Sequence, residues 1–254
     1  MTDQIDPETS DATSEESVKR PRGIYLLPNL FTTGALFSGF YAVISGMNGH
    51  FTAAAVAIFV AMIFDGLDGR VARMTNTQSK FGAEYDSLSD MVSFGVAPAL
   101  VSFTWVLQSL GKFGWVAAFI YCACAALRLA RFNTQIGSLD KRYFMGLPSP
   151  AAAATIAGLI WFMTEKGIDP APFAWLIALY VALIGLSMVS NVLYNSGKEI
   201  NLKGKITFVK MIVIVLVVAF LATDPDLYLW LIFLAYTVSG PIQWLLRSRK
   251  RQAD

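Results

Sequence analysis

The chain is a series of long apolar stretches separated by short polar connections. Each stretch is near the roughly 20 residues that a helix needs to cross a bilayer. Eight spans are predicted, at residues 28–47, 51–73, 87–108, 113–132, 148–165, 171–191, 206–223 and 226–246. The pattern therefore predicts an all-α fold: a polytopic integral membrane bundle of about eight transmembrane helices.

Polar segments flank this membrane portion at both ends. Residues 1–22 are acidic and end in a basic cluster, and residues 247–254 form a basic tail. The first segment lacks the apolar core and the cleavage site of a signal peptide, and its composition is typical of a disordered tail. We therefore expect a membrane domain over residues 23–246 with a tail on each side.

Composition and charge give this bundle an orientation. The 254 residues are 55% hydrophobic and 15% charged, which is too apolar for a soluble domain of this length. The net charge of +2 does not indicate a nucleic-acid partner. When eight spans are threaded through a membrane, only Lys112 and Lys166 of the 20 lysines and arginines fall on one side. By the positive-inside rule, both termini face the cytoplasm, as in a protein of a bacterial-type inner membrane.

Four aspartates lie at the cytoplasmic ends of the second and third predicted spans. Asp65 and Asp68 are three residues apart and Asp86 and Asp90 are four apart, so on helices each pair lies on one face. Carboxylates at a membrane boundary are costly unless they have a partner. Oxygen ligands without Cys or His suit hard cations, Mg²⁺ or Mn²⁺ before Ca²⁺, and this much charge can hold two ions. Two ions in one carboxylate site are typical of phosphoryl transfer.

Two other interpretations of the aspartates stay open at this point. Each residue alone fits a polar loop at the membrane surface. Aspartates among spans also occur in cation transporters, which place them near the middle of the membrane, commonly in repeated halves. The sequence holds no second copy of the aspartate motif, and this favours an enzyme.

The spacing of the aspartate segment is similar to the signature of the CDP-alcohol phosphotransferase family. The fixed positions of that signature correspond to Asp65, Asp68-Gly69, Ala72-Arg73, Gly82, Asp86 and Asp90. The resemblance implies metal ions held by all four aspartates, with Asp90 as general base beside Asp86. It also implies contacts to a CDP-linked substrate. The residues concerned are Asn29, Thr32, Asp65, Asp68, Gly69, Arg73, Ser79 and Gly82.

Within the family, four further segments resemble the integral-membrane phosphatidylserine synthases. They are RLARFN, FMGLPSPAAA, LSMVSN with the following Lys198, and YTVSGP. The resemblance implies transfer from CDP-diacylglycerol to L-serine, with release of CMP, in a protein that forms homodimers among membrane lipids. Other acceptors stay open: glycerol 3-phosphate, an inositol phosphate or another amino alcohol.

The carboxylate of L-serine needs a cation, and polar residues near the helix ends are the candidates. They are Arg131, Arg128, Asn133, Asn191 and Lys198, of which Arg131 ranks first. Snorkelling to the membrane surface explains one such arginine easily, and polar helix packing explains an asparagine. Two arginines with an asparagine close by favour a binding site. Whether serine attacks directly or an aspartyl-phosphate forms first stays open.

Overall fold

The computed structural model describes the backbone of residues 26–134, 143–195 and 208–251, and the side chains of residues 27–134, 144–195 and 211–246. The acidic segment at residues 1–22 and the candidate serine ligand Lys198 lie outside the described residues. The basic segment that begins at residue 247 continues the last helix, which ends at Arg251.

Helices make up most of the described chain, as the hydropathy pattern predicts. They are α1 (Leu26–Met47), α2 (Phe51–Thr75), α3 (Lys80–Asp90), α4 (Ala97–Trp105), α5 (Lys112–Thr134), α6 (Ser149–Glu165), α7 (Ala174–Val189), α8 (Phe208–Leu221) and α9 (Pro225–Arg251). A π-helical turn, Met91–Val96, joins α3 to α4, and 3-10 turns at Leu107–Leu110 and Ala171–Phe173 precede α5 and α7. The all-α prediction is confirmed.

Six helical segments of the described chain are long and apolar enough to cross a membrane. They are Leu27–Met47, Phe51–Thr75, Lys80–Trp105, Lys112–Thr134, Ala171–Val189 and Pro225–Leu246. The segment Met211–Leu221 is apolar but shorter. The prediction of an integral membrane protein is confirmed, whereas the count of eight spans and the side on which the termini lie stay predictions.

Small residues line the buried helix interfaces. Ala54, Ala55 and Ala61 of α2 are fully buried, as are Ala152 and Ala153 near the start of α6. Helices in lipid associate through close packing of this kind, because lipid tails remove most of the hydrophobic gain of contact. The small residues let α6 lie close to α2 and α9, and α1 packs along α2. The ends of α2 and α3 that carry the aspartates are held by this packing.

The structure also contains a small antiparallel sheet that the sequence pattern does not predict. Its strands are β1 (Tyr143–Met145) and β2 (Leu193–Asn195). Gly146 follows β1 with φ of +78°, and a Cβ there would collide with the carbonyl oxygen of Met188. Only glycine accommodates both constraints. The sheet therefore ties the start of α6 to the end of α7. Three-residue strands are too short to show an alternating pattern.

An ion pair joins the end of α6 to the turn before α9. Lys166 Nζ lies 2.7 Å from Asp224 Oδ1 and 3.7 Å from Asp226 Oδ2. The hydrogen bond from Lys166 holds the pKa of Asp224 below its ordinary value. The carboxylate therefore stays charged at neutral pH, and the ion pair is lost only as the pH falls through this lowered pKa.

We expect the variant Lys166→Met to lower the melting temperature in detergent by a few degrees at pH 7. Asp226 is only 3% exposed, and it would lose its cation. Differential scanning fluorimetry measures the change, and the difference from wild type should shrink only below about pH 3.9, the ordinary pKa of an aspartate, because the pKa of Asp224 is lower. Lys112→Met is the matched control, because the described chain shows no ion pair for that lysine. Equal shifts in both variants would contradict the prediction.

Candidate active site

The four aspartates lie on two helices, as their spacing predicts. Asp65 and Asp68 belong to α2, and Asp86 and Asp90 belong to α3. One carboxylate oxygen from each of Asp65, Asp68 and Asp86 lies within 4.8 Å of the other two. Asp90 is outside this group of three, and its carboxyl group lies near that of Asp65. The fold thus places three of the aspartates around one point and the fourth beside them.

The oxygens of Asp65, Asp68 and Asp86 fit a hard divalent cation. Mg²⁺ binds oxygen at about 2.0–2.1 Å and Ca²⁺ at about 2.3–2.6 Å, so two oxygens on one ion are at most about 4–5 Å apart. The three carboxylates lie within 4.8 Å of one another, which satisfies the limit for Ca²⁺, and Mg²⁺ requires them to approach to about 4 Å. Three negative charges this close also repel one another unless a cation lies between them. An acidic cluster able to hold a divalent metal ion is therefore present.

Thr32 of α1 orients one of the three carboxylates. Its Oγ1 donates a hydrogen bond of 2.9 Å to Asp68 Oδ2 and lies 3.2 Å from the carbonyl oxygen of Pro28. Thr32 and Asp68 are 3% and 6% exposed. A buried carboxylate needs such donors, because it has lost its contacts with water. The contact therefore holds the Asp68 carboxylate in one orientation.

A cavity of about 290 Å³ opens beside the carboxylates, between α1, α2 and α3. Its lining includes most of the residues that the family resemblance assigns to substrate binding. These are Asn29, Thr32, Asp68, Gly69, Arg73, Ser79 and Gly82, together with Asp86. Asp65, the remaining residue of that set, belongs to the neighbouring carboxylate group. The fold therefore brings residues from three helices to one polar cavity, although their roles stay predictions.

Two glycines leave room in this cavity. A Cβ at Gly82 would lie 3.2 Å from Ser79 Oγ and 3.5 Å from Asn29 Oδ1. A Cβ at Gly69 would lie 3.5 Å from the nearest guanidinium nitrogen of Arg73. Ser79 is the N-cap of α3, and its Oγ accepts a 3.0 Å hydrogen bond from the backbone N–H of Gly82. The missing Cβ atoms keep space between polar groups of three helices.

The two arginines of α5 have different surroundings. Arg128 Nη1 donates a 2.8 Å hydrogen bond to Ser149 Oγ, and its guanidinium interacts electrostatically with Asp90 and Asp65. The Nε of Arg128 is buried and has no hydrogen-bond partner among the described residues. Arg128 is therefore the arginine of α5 whose charge acts on the carboxylates, and its Nε–H is free to donate a further hydrogen bond.

Arg131 instead contacts residues of β1, of the end of α7 and of the connection after α7. Its Nη2 donates a 2.9 Å hydrogen bond to Asn191 Oδ1 and contacts Met145 Sδ, and its Nη1 lies 3.4 Å from the carbonyl oxygen of Val189. These contacts connect α5 to β1 and to the end of α7. Two candidate serine ligands, Arg131 and Asn191, are thus brought together and bond to each other.

The remaining described candidate for the serine site is Asn133. Its Nδ2 donates a 3.0 Å hydrogen bond to Ser87 Oγ, next to Asp86 on α3. The candidates therefore form two sets, with Arg128 and Asn133 directed toward α3 or its carboxylates and Arg131 paired with Asn191. The assignment of any of them to serine stays a prediction.

Sequence reasoning missed several residues that the fold brings to this region. Ser87 and Ser149 accept hydrogen bonds from residues of α5, and Thr77 and Gln78 line the cavity. Ser149 is fully buried in a segment noted only for its family resemblance. A serine in a helix has no distinctive spacing, so its partner on another helix becomes known only from the fold. Thr77 and Gln78 follow Asn76, whose φ of +54° ends α2, and an Asn there is a usable sign of a helix end.

A largely helical membrane bundle with grouped carboxylates beside a polar cavity defines an integral membrane protein with an acidic cluster able to hold a divalent metal ion. Residues 25–193 match the CDP-alcohol phosphatidyltransferase family. The chain belongs to this family. The resemblance inferred from the aspartate spacing is confirmed.

Curated relatives are similar over most of the chain. A CDP-diacylglycerol–serine O-phosphatidyltransferase of Helicobacter pylori is 34% identical over 223 residues, covering 87% of this chain and 92% of the relative. A protein of the same name from Mycobacterium tuberculosis is 33% identical over 244 residues, covering 92% of this chain and 84% of the relative. The one from Saccharomyces cerevisiae is 40% identical over 153 residues, covering 54% of each. The similarity thus extends beyond the aspartate signature.

Proposed function

We propose that the chain is a phosphatidylserine synthase that transfers the phosphatidyl group of CDP-diacylglycerol to the hydroxyl of L-serine and releases CMP. The observation that carries this proposal is the similarity, over 87% of the chain, to a relative named for that reaction. The carboxylate group and the adjoining cavity support it, because they provide a metal site next to space for a nucleotide. Acceptors other than serine are the alternative within the family.

The metal would be held first by Asp65, Asp68 and Asp86. A bound Mg²⁺ or Mn²⁺ supplies positive charge that neutralises the diphosphate and makes CMP a better leaving group, and Ca²⁺ is the alternative. The carboxylates of the three residues and of Asp90 together carry enough charge for two ions. Thr32 keeps Asp68 in one orientation for this purpose.

The cavity residues would bind the CDP moiety. Arg73 interacts electrostatically with Asp68, so its guanidinium can bind a diphosphate oxygen next to the carboxylates. Asn29, Ser79 and Gly82 adjoin one another and offer an amide, a hydroxyl and free space to the nucleotide. The acyl chains would enter sideways between helices from the cytoplasmic leaflet, since the cavity lies where spans meet polar connections.

Asp90 would act as the general base. Its carboxylate takes the proton of the serine hydroxyl as that oxygen attacks the β-phosphorus, and the bond from phosphorus to the bridging oxygen breaks with departure of CMP. The position of Asp90 beside the group of three is suited to this role, because a base must keep an oxygen free. Direct attack is our preference, and an aspartyl-phosphate intermediate is the alternative.

The site would face the cytoplasm, where serine is dissolved, and the protein would form homodimers in an inner membrane of the bacterial type. The charge asymmetry supports the first statement, because only Lys112 and Lys166 fall on the opposite side of the predicted topology. The homodimer rests on the family resemblance, with the third and fourth predicted spans as the expected interface.

An acceptor panel tests the proposed function. Purified protein in detergent receives CDP-diacylglycerol, Mn²⁺ or Mg²⁺, and one of L-serine, glycerol 3-phosphate or an inositol phosphate, and CMP release is measured. Of these three acceptors, we expect only L-serine to give CMP release, only with metal, and none after addition of EDTA. Release with another acceptor alone would keep the family chemistry and refute serine. Absence of release with every acceptor would refute the transferase itself.

A further inference from the structure

The carboxylates of the proposed metal site come from two helices that must be held at a fixed separation. Asp65 and Asp68 lie on α2, and Asp86 and Asp90 lie on α3. Negative charges so close push the two helices apart whenever no cation lies between them. The protein therefore needs a connection between α2 and α3 that does not depend on the metal.

Thr32 of α1 makes such a connection through two different atoms. Its side-chain Oγ1 donates to Asp68 Oδ2 at 2.9 Å, and its backbone carbonyl accepts a 3.1 Å hydrogen bond from Ser89 Oγ. Ser89 is 1% exposed and directly precedes Asp90 in the chain. A continuous path of bonds thus runs from a carboxylate of α2, through one residue of α1, to the residue next to Asp90.

A second serine of the same segment makes an equivalent bond one turn farther along. Ser93 Oγ donates 3.0 Å to the carbonyl oxygen of Ala35. A Cβ at Gly39 would lie 2.6 Å from Ser93 Cα, so the backbones of α1 and the π-helical turn are in close contact there. Ser93 is fully buried, like Ser89. It differs from Ser89 because its acceptor, Ala35, has no side chain that bonds to a carboxylate.

We infer that Ser89 is a positioning residue for the metal site, acting through Thr32 to fix the separation between the aspartates of α2 and those of α3. The inference rests on the proposed metal-dependent function and assigns no contact with substrate to Ser89. Residues that orient metal ligands typically change metal affinity or activity about 10–100-fold when they are removed. A serine that only packs two helices together would change stability instead.

The test compares Ser89→Ala with Ser93→Ala in the purified full-length protein. Each variant loses one buried hydroxyl that donates to a carbonyl of α1. The dissociation constant of Mn²⁺ is measured from the electron paramagnetic resonance of the free ion, without CDP-diacylglycerol or serine. Thermal unfolding is measured in parallel. We expect Ser89→Ala to weaken Mn²⁺ binding about tenfold and Ser93→Ala to change it less than about twofold, with similar losses of melting temperature.

A second variant covers the case in which Ser89→Ala does not fold. Thr32→Val removes the hydroxyl that donates to Asp68 and keeps the carbonyl that accepts from Ser89, so it should also weaken Mn²⁺ binding about tenfold. Equal weakening in Ser89→Ala and Ser93→Ala, or none in either, would overturn the positioning role alone. Failure of the wild-type protein to bind Mn²⁺ would overturn the metal site and this inference together. Failure of the acceptor panel with these Mn²⁺ differences intact would overturn the proposed function and leave the positioning role of Ser89 in place.

Discussion

Replacing Asp90 with Asn should reduce serine-dependent CMP release by about 10²–10⁴-fold while leaving most of the Mn²⁺ affinity in place. An amide has almost the shape of a carboxylate but cannot take the proton of the serine hydroxyl. Asp90 also lies outside the group of three oxygens that approach one another within 4.8 Å. Loss of activity without loss of metal is therefore the expected result for a general base.

Asp68→Asn is the matched comparison for this experiment. Asp68 belongs to the group of three, so the same change should weaken Mn²⁺ binding at least about tenfold as well as reduce CMP release. The dissociation constant of Mn²⁺ and the rate of CMP release are measured on the same preparations of each variant. If Asp90→Asn lost Mn²⁺ as severely as Asp68→Asn, Asp90 would be a metal ligand, as the family resemblance alone implies, and the base would have to be sought elsewhere.

The contrast between Asp90 and the other aspartates shows which features of the site the sequence spacing predicts and which it does not. Intervals of three and four residues predict shared helix faces, and both aspartate pairs do lie on helices. The long apolar stretches predict the membrane bundle for the same reason, since helix length and bilayer thickness are physically linked. The division of the four carboxylates into three and one depends on how α2 and α3 meet. That geometry is set by packing on α1, which has no periodic signal.

The hydrogen bonds of Thr32, Ser89 and Arg128 illustrate the same limit. Ser89 Oγ bonds to a carbonyl 57 residues earlier in the chain, and Arg128 bonds to Ser149 across a connection between helices. Every residue has a backbone carbonyl, so no sequence motif can predict which carbonyl accepts the hydrogen bond. The π-helical turn Met91–Val96 is also invisible to a hydropathy scan, because its residues remain as apolar as those of an α-helix. Such features become known only from the fold.

The surroundings of the two arginines of α5 favour Arg128, and not Arg131, as the residue that binds the carboxylate of L-serine. The hydroxyl oxygen of L-serine is only three bonds from its carboxylate carbon, so a cation that binds the carboxylate must lie close to the base. Arg128 interacts with Asp90, whereas Arg131 donates to Asn191 and the Val189 carbonyl. We therefore expect Arg128→Leu to raise the KM for L-serine about 10–100-fold and to leave the KM for CDP-diacylglycerol within about twofold.

Arg131→Leu should raise the serine KM less and lower the melting temperature more, because Arg131 connects α5 to Asn191 and to β1.

An acceptor without a carboxylate separates the loss of serine binding from general damage to the site. Ethanolamine is serine without that group, and we expect it to be a slow acceptor whose rate of CMP release is almost the same in wild type and Arg128→Leu. If the variant lost ethanolamine transfer in equal proportion, Arg128 would serve the carboxylates of the metal site. A steep rise of the serine KM in Arg131→Leu, at unchanged stability, would restore Arg131 as the serine ligand. The ratio of CMP release with L-serine to CMP release with ethanolamine therefore measures whether the positive charge of Arg128 selects serine.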